Sequence, residues 1–482
     1  MINPPAWLNT TLQTMGGRTV RDDTRTLQPG EVLVWDSRIA PHKTAAVLAD
    51  AQTRGAGLVV SDVTALGVHT VPDAGLVLAA WARQQFPQQP AQLVGVTGTS
   101  GKTSVAWFAR QLAARAGVAS ASIGTLGVMR TDSDFDEEYT GFTSPTALKL
   151  HPILQQLAQE GRTFCAMEIS SHALALRRAE GVMLTTAGYT NFSQDHLDFH
   201  GSLAEYFQAK LRLFTELLPN GGTAVINSSR EELWPVLGVV KQRGNPLLSV
   251  GTRNAELVVQ IDRADARGLQ LQLKYDTTPV PLDLPLLGAF QAENLAVALG
   301  LCVAAGLPWP ALAAAAAKVS GVPGRMELVR AGNAARVPAV VVDYAHKPDA
   351  LEKALRALRP VVPAGGRLHV VFGCGGDRDA TKRPIMGKIA ADLADVVVVT
   401  DDNPRTEDAA AIRRQVLAGA GANAQEIGDR ARAIAATLEA AGPTDVVLVA
   451  GKGHEQGQIV GREVLPFDDR VAVRQVLESL YT

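Results

Sequence analysis

The residues of this chain best suited to chemistry gather in a few short clusters. Gly98-Thr-Ser-Gly-Lys-Thr-Ser104 closes the stretch Leu93–Ser104, in which an apolar run leads through a glycine-rich turn into an amphipathic segment. Backbone N–H groups of such a turn and of the helix N-terminus that follows face phosphate oxygens, and a lysine neutralises their charge. Gly98, Thr99, Ser100 and Gly101 would form the cradle and Lys102 its cation, while Thr103 or Ser104 would bring a hydroxyl to Mg²⁺. The match is off the strict Gly-x-x-x-x-Gly-Lys-[Ser/Thr] form, with Val96 where the first glycine is required. Phosphoryl transfer is mainly positioning and charge neutralisation. Further metal ligands are therefore needed, and Glu168 and His196 are the candidates. They lie in Glu168-Ile-Ser-Ser-His172 and in Asn191-Phe-Ser-Gln-Asp-His-Leu-Asp-Phe-His200, each just past a strand-like run. Imidazole is an unusual ligand for an oxygen-seeking ion. His196 alone would read as a hydrogen-bonded structural histidine; Asp195, Asp198 and His200 beside it favour function. Lys210, on an expected helix over Leu203–Leu217, reads from its spacing as a solvated surface charge.

A second group of polar loops follows the short apolar runs Ala339–Val342, Leu368–Phe372, Val396–Val399 and Val446–Val449. They are Asp343-Tyr-Ala-His346, Gly373-Cys-Gly-Gly-Asp-Arg378, Asp401-Asp-Asn-Pro-Arg405 and Gly451-Lys-Gly-His-Glu455. If the four strands share one parallel sheet, all four loops leave the same edge, where ligands of open α/β sheets gather. Arg405 offers a planar cationic fork to a carboxylate and Glu455 an anion to an ammonium group. Together they could grip a zwitterionic amino-acid head group, or simply pair with each other.

The elements that position these residues give an α/β fold of three domains. A small N-terminal α/β unit over 1–88 has strands at Glu31–Trp35 and Gly57–Val60 around a helix at Thr44–Arg54, and ends in a Pro/Gln-rich linker at Phe86–Gln92. Its Asp22-Asp-Thr-Arg25 stretch reads as a polar turn. A central region over 89–322 holds the phosphate loop and further strands at Thr163–Met167, Thr186–Thr190 and Thr223–Ile226, joined by helices into a mainly parallel sheet. Alternation over Leu257–Leu273 suggests an added antiparallel hairpin. The region 323–482 is Rossmann-like but lacks Gly-x-Gly-x-x-Gly after its first strand.

Leu295–Ala317 is uncharged and nominally long enough to span a bilayer. Gly306, Pro308 and Pro310 interrupt it, so two short core helices are expected. A net charge of −2 over 482 residues provides no global basic field for nucleic acid. The three cysteines share no short spacing, which argues against a disulfide framework or a cysteine zinc site. The opening Met-Ile-Asn-Pro-Pro-Ala-Trp lacks the basic and apolar regions of a signal peptide. A soluble cytoplasmic chain, with no membrane or nucleic-acid partner, is expected.

Jointly these motifs resemble the Mur ligases of peptidoglycan synthesis from Val94 onward. Gly-Arg-Met-Glu at 324–327 and Phe-Gly-Cys-Gly-Gly-Asp-Arg-Asp at 372–379 add to the likeness. The resemblance implies a UDP-binding N-terminal domain, a central ATPase domain and a C-terminal Rossmann-like domain, acting as a monomer. It implies ATP and Mg²⁺ as cofactors, and UDP-MurNAc-L-Ala-D-Glu and meso-diaminopimelate as substrates joined through an acyl phosphate. It assigns Lys102 and its loop to the phosphates, and Thr103, Glu168 and His196 to Mg²⁺. Lys210 matches the family's carbamylated lysine, which replaces the surface reading. Asn294, Arg325, Asp343 and His346 match positions near the nucleotide. Thr24, Thr143, Ser144, Ser170 and Arg178 match those holding the UDP-dipeptide. Arg383, Asp402, Asn403, Pro404, Arg405, Gly451 and Glu455 match those holding the added amino acid.

Gln291 stands where the family usually has Asn, and Leu176 where Gln commonly touches substrate. The Gly/Asp-Gly stretch expected near 37–45 is missing. Lysine-adding relatives lack the counterpart of Arg405, and folylpolyglutamate synthases lack the Asp-Asn-Pro-Arg and Gly-Lys-Gly-His-Glu loops. A guanine-switch protein would carry Asn-Lys-x-Asp, which is absent, and a nucleotide-sugar binding module without turnover would leave Glu168, His196 and Arg405 without a role.

Overall fold

Short runs of Val, Leu and Ile bounded by glycine and polar residues become buried strands, because a parallel sheet covered on both faces needs no polar alternation. The computed structural model describes residues 5–130, 141–276, 278–330 and 337–481; the extreme N-terminus and the Asp198 side chain lie outside the described residues. Two compact units emerge, one of 1–259 with 274–278 and 293–316, the other of 260–273, 279–292 and 317–482.

The first unit contains a small parallel sheet, Val20–Arg21, Val32–Trp35, Leu58–Ser61 and His69–Thr70 in that order. The helix between its second and third strands, Thr44–Thr53, matches the expectation closely. The larger sheet places Gln92–Thr97 between Phe164–Glu168 and Thr186–Tyr189, parallel to both. Its register pairs Val96 with Glu168 and Thr97 with Tyr189, so the phosphate loop and both polar clusters leave one edge together. Thr223–Asn227 and Leu247–Gly251 extend the sheet on one side.

On the other side lie Ser120–Gly124 and the antiparallel Gly127–Met129, a pair that the sequence pattern misses. Ser-Ala-Ser-Ile-Gly has one large apolar residue and no apolar run, yet is wholly buried. The helix expected over Leu203–Leu217 is α-helical only from Leu203 to Arg212 and then widens into a π-helical turn at Leu213–Leu217. Ser202 caps it, accepting from Glu205 N at 3.2 Å and donating to Glu205 Oε2 at 3.0 Å. Phe290–Ala304 and Trp309–Ala316 are two separate helices around the Gly306–Pro308 break, as their punctuation predicts. Among the described residues no helix is long and apolar enough to cross a membrane.

The second unit holds a six-stranded sheet in the order Glu327–Val329, Ala339–Asp343, Val446–Ala450, Leu368–Phe372, Val396–Val399, Gln425–Glu426. All pairings are parallel except the first. Asp343 and Phe372 both align with Ala450, and Phe372 also with Val399, so the four polar loops leave a common edge. The fully buried ion pair between the Arg430 guanidinium and the Asp469 carboxylate fixes that edge from behind, and Arg430 Nη2 donates to Ala450 O at 3.0 Å. The added hairpin is present as Leu257–Asp265 beside Gly268–Lys274, and Val280–Leu284 extends it antiparallel.

Candidate active site

In the first unit the phosphate loop is strapped to the loop after Tyr189. Thr190 Oγ1 donates to Ser100 O at 2.6 Å, Ser100 N donates to Asn191 Oδ1 at 3.0 Å, and Thr99 Oγ1 donates to Ser193 O at 3.1 Å. Gly101 ends the turn at φ +86, and a Cβ there would overlap the Asn294 amide oxygen, so the position demands glycine and brings Asn294 onto the loop. Ser104 lies in the first turn of the helix Lys102–Arg115. Lys102 Nζ donates to Gly98 O at 2.8 Å and Thr99 O at 3.1 Å, folded over the cradle. Burial lowers its pKa, opposed by the carboxylates of Glu168 and Asp195.

Lys210 is no surface lysine. It is 1% exposed and its Nζ donates to the same Gly98 oxygen at 2.8 Å. Nζ also lies 4.6 Å from the centre of the Tyr206 ring, one helical turn earlier, while Tyr206 Oη donates to Thr99 Oγ1 at 3.2 Å. Burial first, and the nearby Lys102 charge second, push the Lys210 pKa well below that of an ordinary lysine. A neutral amine with a free lone pair is the form that CO₂ carbamylates. Once formed, the anionic carbamate would turn repulsion from Lys102 into attraction.

Glu168 is 2% exposed at its strand end. It accepts from Thr103 Oγ1 at 2.9 Å and Thr125 N at 2.7 Å, and Thr125 Oγ1 lies 3.1 Å from Thr143 Oγ1. A Cβ at Gly124 would overlap Glu168 Oε1, so the sheet keeps a glycine where the carboxylate crosses it. The Thr103 hydroxyl and the Glu168 carboxylate are adjacent hard oxygen donors, a set that suits Mg²⁺. His196 sits in a left-handed turn at φ +51 with its side chain 46% exposed. Its Nε2 is 3.6 Å from Asp195 Oδ2, and its ring stands edge-on to His172 at 4.8 Å. Among the described residues no three His, Cys, Asp or Glu side chains converge as a metal cluster.

Ser144, Ser170 and Arg178 come together beside this carboxylate. Ser144 Oγ donates to Glu168 O at 2.9 Å and accepts from Ser170 N at 3.0 Å, and Arg178 Nη1 donates to Ser144 O at 3.3 Å. The Arg178 guanidinium lies 4.7 Å from the centre of the Phe142 ring. Thr24 is in a different part of the unit: it is buried in a short 3₁₀ turn capped by Asp23, and its hydroxyl holds the Asp50 carboxyl below its usual range.

The second unit carries a cleft of about 860 Å³ at its loop edge, lined by His346, Asp402, Asn403, Arg405, Gly451 and Glu455 among others. Asn403 Nδ2 donates to Glu455 Oε2 at 3.0 Å. Arg405, at φ +52, donates from Nη1 to Gly376 O at 2.8 Å. The expected alternative, a direct Arg405–Glu455 ion pair, does not form. Instead Glu455 pairs with Lys452 at 3.2 Å. Arg383 is 1% exposed behind the cleft, where Glu407 clasps it with both oxygens at 2.9 Å and its Nη2 donates to Gly375 O at 3.2 Å. The Pro404 carbonyl accepts from Glu407 N at 3.1 Å. Arg325 stacks 4.8 Å from the Tyr344 ring centre, and Asp343 Oδ2 accepts from Met326 N at 2.7 Å. Burial raises the Asp343 pKa and lowers that of His346, whose Nδ1 lies 2.8 Å from Tyr344 O.

Residue patterns alone did not single out Thr125, Thr190 or Tyr206. Beside Arg378 of the Gly373–Arg378 loop, the cleft also brings in Lys347, Lys353 and Lys382, which none of the motifs includes. For Thr125 and Thr190 the available signal was position, directly after the strands Ser120–Gly124 and Thr186–Tyr189; Tyr206 lies inside the helix Leu203–Arg212 and carried no such signal.

The family model described as Mur ligase middle domain matches residues 96–302, and that described as Mur ligase, glutamate ligase domain, matches residues 324–453. The chain belongs to the Mur ligase family. A UDP-N-acetylmuramoyl-L-alanyl-D-glutamate–2,6-diaminopimelate ligase of Mesorhizobium japonicum is 44% identical over 468 residues, 95% of this Mur ligase and 94% of the relative. One of the same description from Bradyrhizobium diazoefficiens is 45% identical over 468 residues, with 95% and 94% covered. A solved structure under that description has 33% identity and a TM-score of 0.67, covering 96% of this chain and 95% of the other. A folylpolyglutamate synthase from Thermotoga maritima shares the fold at 16% identity and a TM-score of 0.60, covering 78% and 90%.

Proposed function

We propose that this Mur ligase uses ATP to join meso-2,6-diaminopimelate to the D-glutamyl γ-carboxylate of UDP-MurNAc-L-Ala-D-Glu. The observation that carries this reading is that Arg405 lines the same cleft as the hydrogen-bonded Asn403–Glu455 couple, which would take the amino-acid head group. A guanidinium with donors to spare suits the distal carboxylate of diaminopimelate, which lysine lacks. The relatives bearing that name, at 44–45% identity over nearly the whole chain, support the same reading.

A carboxylate is a poor electrophile until one of its oxygens can leave as phosphate. The γ-carboxylate oxygen attacks the γ-phosphorus of ATP, the bond to the bridging oxygen breaks, and ADP departs. The amine lone pair of diaminopimelate then attacks the acyl carbon. The tetrahedral adduct loses a proton and expels phosphate, leaving the amide. In this scheme the amides of Gly98–Gly101 cradle the phosphates and Lys102 neutralises charge that builds up on them. Thr103, Glu168 and a carbamate on Lys210 would hold Mg²⁺, with His196 as a further ligand from its own loop. When bound, that ion screens the phosphates against the approaching carboxylate. Ser144, Ser170, Arg178 and Thr143 would orient the dipeptide end, and Thr24 the uridine end. Asn294, Arg325, Asp343 and His346 would hold the nucleotide. The three-domain division at 1–88, 89–322 and 323–482 and action as a cytoplasmic monomer belong to the same proposal.

The acyl-phosphate step is tested by labelling the γ-carboxylate with ¹⁸O. One labelled oxygen should appear in the phosphate released with each turnover. Unlabelled phosphate would exclude this route.

A further inference from the structure

The two cleft residues proposed to take the amino-acid head group share a third partner. Lys452 is fully buried, and its Nζ donates to Asn403 Oδ1 at 3.0 Å and to Glu455 Oε2 at 3.2 Å. Its carbonyl accepts from Glu455 N at 3.0 Å, closing a turn in which Gly453 takes φ +58. The Lys452 and Glu455 side chains therefore stand at the two ends of one tight turn. Ile459 N donates to Asn403 Oδ1 at 2.9 Å, so both lone pairs of that oxygen are taken. Among the described residues, the hydrogen bonds to the Glu455 carboxylate all fall on Oε2.

We propose that Lys452 is a positioning residue that orients Asn403 and Glu455 so the cleft offers one carboxylate oxygen and one amide N–H to the incoming amino acid. The proposal rests on the reading of Asn403 and Glu455 as holders of that substrate. The terminal torsions of Asn and Glu are broad and roughly two-fold. An amide flip would put an oxygen where the N–H stood, and a rotated carboxylate would turn its oxygens away from the ligand. A buried ammonium bonded to one atom of each residue excludes both alternatives, because leaving that charge unpaired is costly. The resulting acceptor and donor match the ammonium and carboxylate of an amino acid.

The test is a double-mutant cycle in the full chain with Lys452→Met, Glu455→Gln and their combination, reading KM for diaminopimelate and for ATP separately. Lys452→Met should raise the diaminopimelate KM about tenfold or more and leave the ATP KM within about twofold. In the Glu455→Gln background the same change should cost less than about threefold, because coupled residues are not additive. Additive losses, or equal rises in both KM values, would overturn the proposal in favour of a structural lysine. If Glu455→Gln leaves the diaminopimelate KM unchanged, the reading of the amino-acid site fails and this proposal with it. Should Lys452→Met not fold, the double variant, which carries no unpaired charge, is compared with Glu455→Gln. A further rise in its diaminopimelate KM beyond about threefold then counts against the proposal.

Discussion

Lys102 and Lys210 donate to one carbonyl oxygen, that of Gly98, each at 2.8 Å. Two amines on one acceptor cannot both carry full charge cheaply, and burial together with the neighbouring Lys102 charge holds the Lys210 pKa well below the ordinary lysine value. In the proposed scheme the first lysine serves the phosphates and the second is the one open to carbamylation.

Lys210→Ala should lower kcat about 10²-fold or more, as expected for loss of a charge at the transferring phosphoryl group. Acetate or bicarbonate, supplying a free carboxylate to the space vacated, should restore part of the activity in a steady-state assay. Absence of rescue would count against the carbamate.

Gly124→Ala should act on metal dependence without dismantling the sheet. The added methyl would overlap Glu168 Oε1, Cδ and Cγ, so the whole Glu168 side chain must swing aside, while no backbone atom is among the three it meets most closely. The Mg²⁺ concentration for half-maximal rate should rise roughly tenfold, with a melting temperature within a few degrees of the parent. An unchanged Mg²⁺ profile would remove Glu168 from the ligand set.

Arg405→Ala should raise the diaminopimelate KM about 10- to 100-fold, the worth of a charge-assisted carboxylate contact. The ATP KM should barely move. Equal changes in both would mark Arg405 as a support for the Gly376 carbonyl.

Asp343 gives a pH-dependent stability signature. Its folded pKa is raised by burial, so its contribution to stability is complete below the ordinary carboxylate range and is lost as pH rises through the raised value. Asp343→Asn keeps an oxygen for Met326 N, gives up the acceptor for Ala345 N at every pH, and abolishes the pH-dependent loss. The melting-temperature difference between variant and parent should therefore move in the variant's favour by roughly 1–3 °C between pH 3 and pH 7. Activity should fall if Asp343 serves the nucleotide. A difference that stays constant, or moves the other way, would contradict the sign.

Much of this architecture was legible because buried parallel strands are apolar runs followed by polar loops. The order of residues along the chain placed Glu168, His196 and the phosphate loop on one edge, and the registers of Val96 with Glu168 and Thr97 with Tyr189 bear that out. Ser120–Gly124 was hidden because small residues bury without a hydrophobic signature. Lys210 was misread by spacing because helical periodicity does not reveal that its face meets Gly98, a contact spanning 112 residues of chain. Arg383 and Glu407, and Lys452 and Asn403, pair across loops for the same reason: a charge can be matched to its partner only once the strand order is known.

The most direct measurement combines ATP, Mg²⁺ and UDP-MurNAc-L-Ala-D-Glu with either meso-diaminopimelate or L-lysine and follows phosphate release and product mass. Stoichiometric phosphate and a diaminopimelate-bearing product are expected, with kcat/KM for lysine lower by about 10²-fold or more, since the distal carboxylate contact is missing. Equal use of lysine, or no phosphate release with diaminopimelate, would contradict the proposed reaction.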